Sequence, residues 1–147
     1  MISAKPDPFS MSEDFRSFAY REILLAWETR RVLINPTTYA KQVLDKEVGL
    51  YVSKLRKLSD LQSIKKQDMP KEYLAFYCQG RGYESLFKRL RDIVAHGDYG
   101  SPKRGWVQIQ HRFKGPRDKQ KQTRAIGQLK ISTLRNLVRF LDESGSK

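Results

Sequence analysis

One cysteine, two histidines and no long apolar run set the first limits on this chain. A lone Cys78 cannot close an intrachain disulfide and suits a reducing compartment. Two histidines and one cysteine give little to build a zinc site from, and none stands at metal-ligand spacing. No apolar stretch approaches the roughly 20 residues that cross a bilayer. Residues 1–10, with Lys5, Asp7, Pro6 and Pro8, do not form the apolar centre of a secretion signal. Acidic side chains are also scarce, 16 against 29 lysines and arginines. These scarcities predict a cytoplasmic protein with no metal, no cofactor and no membrane partner.

What is present is positive charge, unevenly spread. The formal net charge is +13, and residues 81–147 carry +10 of it. From Lys103 to Lys130 there are nine basic residues and one acid. Such asymmetry points to a polyanion, with nucleic acid ahead of an anionic membrane because no amphipathic membrane helix accompanies it. The cations expected to follow phosphates are Lys103, Arg104, Arg112, Lys114, Arg117, Lys119, Lys121 and Arg124.

The most informative stretch is residues 90–99, Leu-Arg-Asp-Ile-Val-Ala-His-Gly-Asp-Tyr. Tyr83, Leu86, Phe87, Leu90, Ile93 and Val94 recur at three- and four-residue steps, so they predict an amphipathic helix. Gly97 is suited to a left-handed stop, which leaves His96 in the last turn. A guanidinium such as that of Arg91 keeps its charge and an imidazole such as that of His96 can move protons, a pair fitted to phosphodiester cleavage. Asp92 would orient them, with Arg89 and Tyr99 as supporting residues. Arg91 and His96 project about 140° apart on a straight helix. The last turn must therefore unwind, or a second copy of the helix must complete the site.

An Arg followed by a polar residue, then His four to six positions on near a helix end, resembles the signature of the HEPN superfamily. Leu90-Arg91-Asp92 and Ala95-His96-Gly97 carry the likeness, with Asp92 where Asn is commoner. The resemblance implies a small helical bundle that dimerises so that two motifs face one cleft. It also implies, in many members, a metal-independent endoribonuclease, and in others only RNA or nucleotide binding. One subgroup carries a modified Tyr two residues after the His, whereas Tyr99 here lies three after His96.

Along the chain, residues 1–11 read as an extended arm. A capped helix is expected from about Glu13 to Ile34, ending at Asn35-Pro36. From Thr37 a second helix would carry Leu44, Val48, Tyr51, Leu55 and Leu58, with a further turn at residues 61–66. Pro70 would restart a helix bearing Tyr73, Leu74, Phe76 and Tyr77, interrupted by Gly80-Arg81-Gly82. Residues 106–131 alternate as strands do and predict a β-hairpin with a basic tip, in which His111 reads as a surface or half-buried polar residue, the alternative being that it faces RNA or shares the cleft. Ser132 would cap a last helix, and residues 145–147 would fray.

The expectation is thus a single mainly α domain over residues 1–147, a HEPN-like helical bundle with a basic β-hairpin between the motif helix and the C-terminal helix. Its expected function is metal-independent RNA cleavage, leaving 2′,3′-cyclic phosphate and 5′-hydroxyl ends, as a toxin or defence effector. RNA, a second copy of the chain and an antitoxin or other regulatory protein are the expected partners. Two rivals stand beside it: a non-catalytic RNA- or nucleotide-binding module, and a winged-helix DNA-binding protein using residues 106–131 as its wing.

Overall fold

The computed structural model describes residues 6–143. It corrects the expected helical bundle: five strands form one mixed sheet, and the fold is α+β. The segments Glu13–Ala19, Tyr20–Leu25 and Ala26–Glu28 run on as one helix, α1, whose middle stretch is π-wound. Next come α2 (Lys41–Val48), β1 (Tyr51–Leu55), α3 (Leu58–Gln62) and β2 (Tyr73–Tyr77). The motif helix α4 (Gly82–His96), β3 (Tyr99–Gly100), β4 (Trp106–Phe113), β5 (Gln122–Lys130) and α5 (Ile131–Leu141) complete the order.

The strand order is β1-β2-β5-β4-β3. β1 and β2 are parallel, and every other pair is antiparallel. Leu74 and Phe76 of β2 share one core with Val107, Ile109, Ala125 and Leu129 of the hairpin and with Phe15, Leu44, Leu86, Phe87, Leu90 and Leu137 of the helices. Tyr73 and Ala75 are buried outside that core, on the opposite parity of the strand. On that side Gln62 of α3 receives the Thr123 N–H on its Oε1 and donates through Nε2 to the Thr123 carbonyl. A strand covered on both faces needs apolar residues at successive positions, and Tyr-Leu-Ala-Phe-Tyr supplies them.

Two expected helices are therefore strands or are cut short by them. α2 stops at Gly49, whose φ of 77° closes the helix on the carbonyls of Leu44 and Asp45. The chain then extends through β1, so Tyr51 and Leu55 are strand residues. The restart at Pro70 leads into β2, since five apolar residues between Pro70 and Gly80 are too short a run for periodicity to tell strand from helix. α1 ends earlier than Ile34, after Glu28, with Arg30 at φ 56°. Ser12 does cap it, accepting the Phe15 N–H at 3.1 Å.

The hairpin forms where expected, with Trp106 opposite Lys130 and a bulge between His111 and Arg112. α5 starts at Ile131 after Lys130 rather than on a Ser132 cap. The described part of the arm is folded, not extended: Pro8–Ser10 is a 3-10 turn and the Ser10 hydroxyl accepts the Ser101 N–H at 2.8 Å. The expected frayed tail lies outside the described residues.

Candidate functional site

α4 brings the motif to the end of the sheet. Its buried face is Tyr83, Leu86, Phe87, Leu90 and Ile93. Gly97 at φ 66° ends it, and the Asp98 N–H reaches back to the Ile93 carbonyl at 2.9 Å. That reversal leaves His96 exposed on the last turn and turns Asp98 inward, 5% exposed, just before β3.

Asp98 meets a residue to which the motif reading gave no part. Its Oδ2 lies 2.8 Å from Nδ1 of His111, which is 1% exposed. A carboxylate oxygen accepts, so in this contact Nδ1 of His111 is the donor. The His96 ring stacks on His111 with centroids 5.6 Å apart and planes 28° from parallel, and the Phe113 ring lies 6.3 Å from it at a tilt of 54°. The sequence did hold a signal for this: strand alternation places His111 on the parity of Val107 and Ile109, the core side.

The expected arginine clamp is otherwise engaged. Arg91 Nη1 pairs with Asp92 Oδ1 at 2.9 Å, and its Nε lies 3.2 Å from Glu28 Oε1 on α1. Two carboxylates thus offset one guanidinium. Asp92 also sits 3.5 Å from Arg89 Nη1. Arg89 is 7% exposed and binds the Tyr77 carbonyl through Nε and Gln79 Oε1 through Nη2. Burial lowers its pKa, Asp92 counters that, and neighbouring Arg124 lowers it again. Arg89 is a structural tie between α4 and the end of β2. Tyr99 packs on Phe15 in the core, where burial raises its phenol pKa.

The basic hairpin divides in two. Lys103, Arg104, Arg112, Lys114, Arg117, Lys119 and Lys121 are exposed. Arg124 is not among them: it is 9% exposed, pairs with Asp118 Oδ2 at 3.0 Å and lies over the Phe113 and Tyr77 rings. Asp118 also accepts the Gly115 N–H, so this pair holds the loop in shape. A Cβ on Gly115 would come 2.9 Å from Arg124 Nη2. The sequence reading passed over Trp106, half-buried on the outer parity of β4 with Gln108 and Gln110. Lys103 Nζ sits 4.6 Å from its ring centroid and Lys130 Nζ 6.0 Å.

Among the described residues no three His, Cys, Asp or Glu side chains gather to hold a metal ion. No described helix is long and apolar enough to cross a membrane. Comparison with protein-family models, with curated proteins and with solved structures finds no match.

Proposed function

We propose that the protein is an RNA-binding endoribonuclease of the cytoplasm that cuts without a metal ion, with His96 at the reacting phosphate. One observation carries the reading: an exposed imidazole stacked on a buried Asp98–His111 pair, near the loop end of a hairpin bearing six exposed cations. RNA contains its own nucleophile, so the protein need only move protons and offset charge. Neutral His96 takes the 2′-hydroxyl proton as the 2′-oxygen attacks phosphorus. The bond to the 5′-oxygen breaks, and that oxygen leaves with a proton from an imidazolium. The products are a 2′,3′-cyclic phosphate and a 5′-hydroxyl.

The roles shift from those that the motif alone suggests. His111 and Asp98 are positioning residues, holding the surface against which His96 stacks. Arg91 must leave Glu28 before it can grip a phosphoryl oxygen. One imidazole can act as base and then as acid in turn, and a second copy of the chain would supply the complementary imidazole at once. Trp106, flanked by Lys103 and Lys130, offers a stacking surface for an unpaired base.

The test is incubation of wild type, His96→Ala and His111→Phe with structured RNA in EDTA, with product ends identified. His96→Ala should lower cleavage by about 10²-fold or more with the fold unchanged. Full activity in His96→Ala, or a need for added metal, overturns the mechanism. A second reading, RNA binding without cleavage, is favoured by the two carboxylates that offset Arg91. It predicts tight RNA binding and intact RNA in the same assay. The winged-helix rival loses ground because α4 buries seven of its residues, among them Leu86, Phe87 and Leu90, and so presents little face to a groove.

A further inference from the structure

The outer face of the hairpin carries side chains that proton transfer at His96 does not use. On β4 the outward positions are Trp106, Gln108 and Gln110, and the ladder sets Lys130, Gln128 and Ile126 opposite them on β5. Side chains directly opposite one another stand about 5 Å apart, and those two along a strand about 7 Å. Three glutamine amides therefore lie beside one indole.

Among the described residues nothing hydrogen-bonds these amides. Gln108, Gln110 and Gln128 are half-buried with their side chains unpartnered, whereas Gln62 ties α3 to Thr123 and Gln79 holds Arg89. An amide offers a donor and an acceptor side by side, the pattern that the edge of an unpaired base complements.

The surroundings shape an open trough with cations at both ends. α3 covers the same sheet face at the Thr123 end of β5. At the β3 edge a Cβ on Gly100 would come 2.8 Å from Asp7 N, so the arm runs as a wall beside Gln108, the ladder partner of Gly100. The carboxylates of Asp7 and Glu72 border the trough, and each accepts a backbone N–H, from Phe9 and Lys130 respectively. Lys103 and Lys130 flank the indole, and Arg112 stands exposed beyond Gln110. A floor of one flat ring and free amides between cations matches flat bases on an anionic backbone. A double helix keeps its base faces inside the stack, so it cannot use the indole.

We propose that this face binds a single-stranded segment of RNA and selects its bases, with Trp106 stacking one base, Gln108, Gln110 and Gln128 hydrogen-bonding the edges of its neighbours, and Lys103 and Lys130 meeting the flanking phosphates. The inference rests on the RNA reading above and assigns its specificity. An exposed cation–π contact is weaker than the stacking of a base on an indole, so a base displaces Lys103 from the ring and frees its ammonium for phosphate. His111, on which His96 stacks, points to the other side of β4. The trough therefore holds RNA beside the cut, not at it.

Fluorescence anisotropy tests this with labelled oligo-A, oligo-C and oligo-U of about ten nucleotides and an RNA duplex of equal length, titrated with the full chain carrying His96→Ala so that the RNA stays intact. The best single strand should bind at least about tenfold tighter than the duplex, the three should differ by at least about threefold, and tryptophan emission should be quenched. Trp106→Ala should weaken binding at least about fivefold and abolish the quench, and Trp106→Phe should recover part of the affinity. Gln108→Ala/Gln110→Ala/Gln128→Ala should bring the three affinities together while the salt slope and far-UV spectrum stay unchanged. Duplex binding as tight as single-strand binding, unchanged affinity in Trp106→Ala, or a base preference that survives the triple variant overturns the proposal. Wild-type cleavage that persists while this face proves inert overturns the proposal alone. Base-selective binding by a wild-type chain that never cuts upholds it and overturns the mechanism at His96 instead.

Discussion

Removing the Asp98 carboxylate tests whether the buried pair supports His96 or merely fills space. Asp98→Ala strands the Nδ1–H of a histidine that is 1% exposed. A buried donor left without its charge-assisted partner costs about 1–3 kcal/mol. His111→Phe does the reverse and leaves a carboxylate that is 5% exposed without its imidazole partner, for about 3–5 kcal/mol. The double variant strands neither group. It should therefore be less destabilised than the sum of the two singles by at least about 1 kcal/mol. Urea unfolding followed by fluorescence of the two tryptophans reads all four proteins. Each kilocalorie should also lower Tm by about 2–4 °C for a chain of this length. Strict additivity would refute the coupling and leave the 2.8 Å contact without energetic weight. Activity adds a second readout: if the pair positions His96, the double variant should regain stability without regaining the wild-type rate.

Tyr39, Tyr73, Tyr83 and Tyr99 all have phenol pKa values raised by burial, so the folded state favours their neutral forms. Their contribution is full below the ordinary value of about 10 and is lost as pH rises through the folded values. Absorbance titration should therefore find these tyrosines ionising late and together with alkaline unfolding, and early independent ionisation would contradict their burial. Replacing Arg112, Lys114, Arg117, Lys119 and Lys121 by Gln should lower the slope of log affinity for RNA against log salt by roughly 0.7 for each single-strand phosphate no longer neutralised, with the far-UV spectrum unchanged. An unchanged slope places the RNA path elsewhere. Gly97→Ala should cost about 1 kcal/mol in unfolding experiments, since a Cβ at φ 66° is strained and would sit 3.3 Å from Pro8 Cγ. A neutral result would mean that the helix end relaxes.

How far the chain could be read depended on how long each pattern ran. α4 carries a 3.6-residue repeat over four turns and a glycine stop, and it was legible to its last residue. The hairpin was legible because Trp106 to His111 alternates without a break. β1 was not, because Tyr51, Leu55 and Leu58 prolong the four-and-three spacing of Leu44 and Val48. A four-residue step also keeps the parity of a strand. Only Gly49 marked the change, and φ of 77° there is what the helix needed to end. β2 hid for the opposite reason: buried on both faces, it shows no alternation at all. Missing those two strands turned an α+β sheet into a bundle.

The same error shaped the reading of the site. In a bundle, Arg91 and His96 are the polar residues left over on one helix, and the about 140° between them has to be closed by an unwound last turn or bridged by a second copy. A sheet beneath α4 changes the partners available to each. β3 and β4 bring Asp98 and His111 to the imidazole, while α1 brings Glu28 to the guanidinium. His96 gains a buried platform within its own chain, and Arg91 gains a competitor for any phosphate. The consequence is kinetic. Glu28→Gln releases Arg91 from one of its two carboxylates, so it should raise RNA affinity or cleavage severalfold if Arg91 is a phosphate ligand held in reserve. If Arg91 serves only to pin α4 to α1, the same change should lower stability by a fraction of a kilocalorie, within the about 0–1 kcal/mol of exposed ion pairs, and leave the rate alone. Steady-state cleavage and urea unfolding of that one variant separate the two roles.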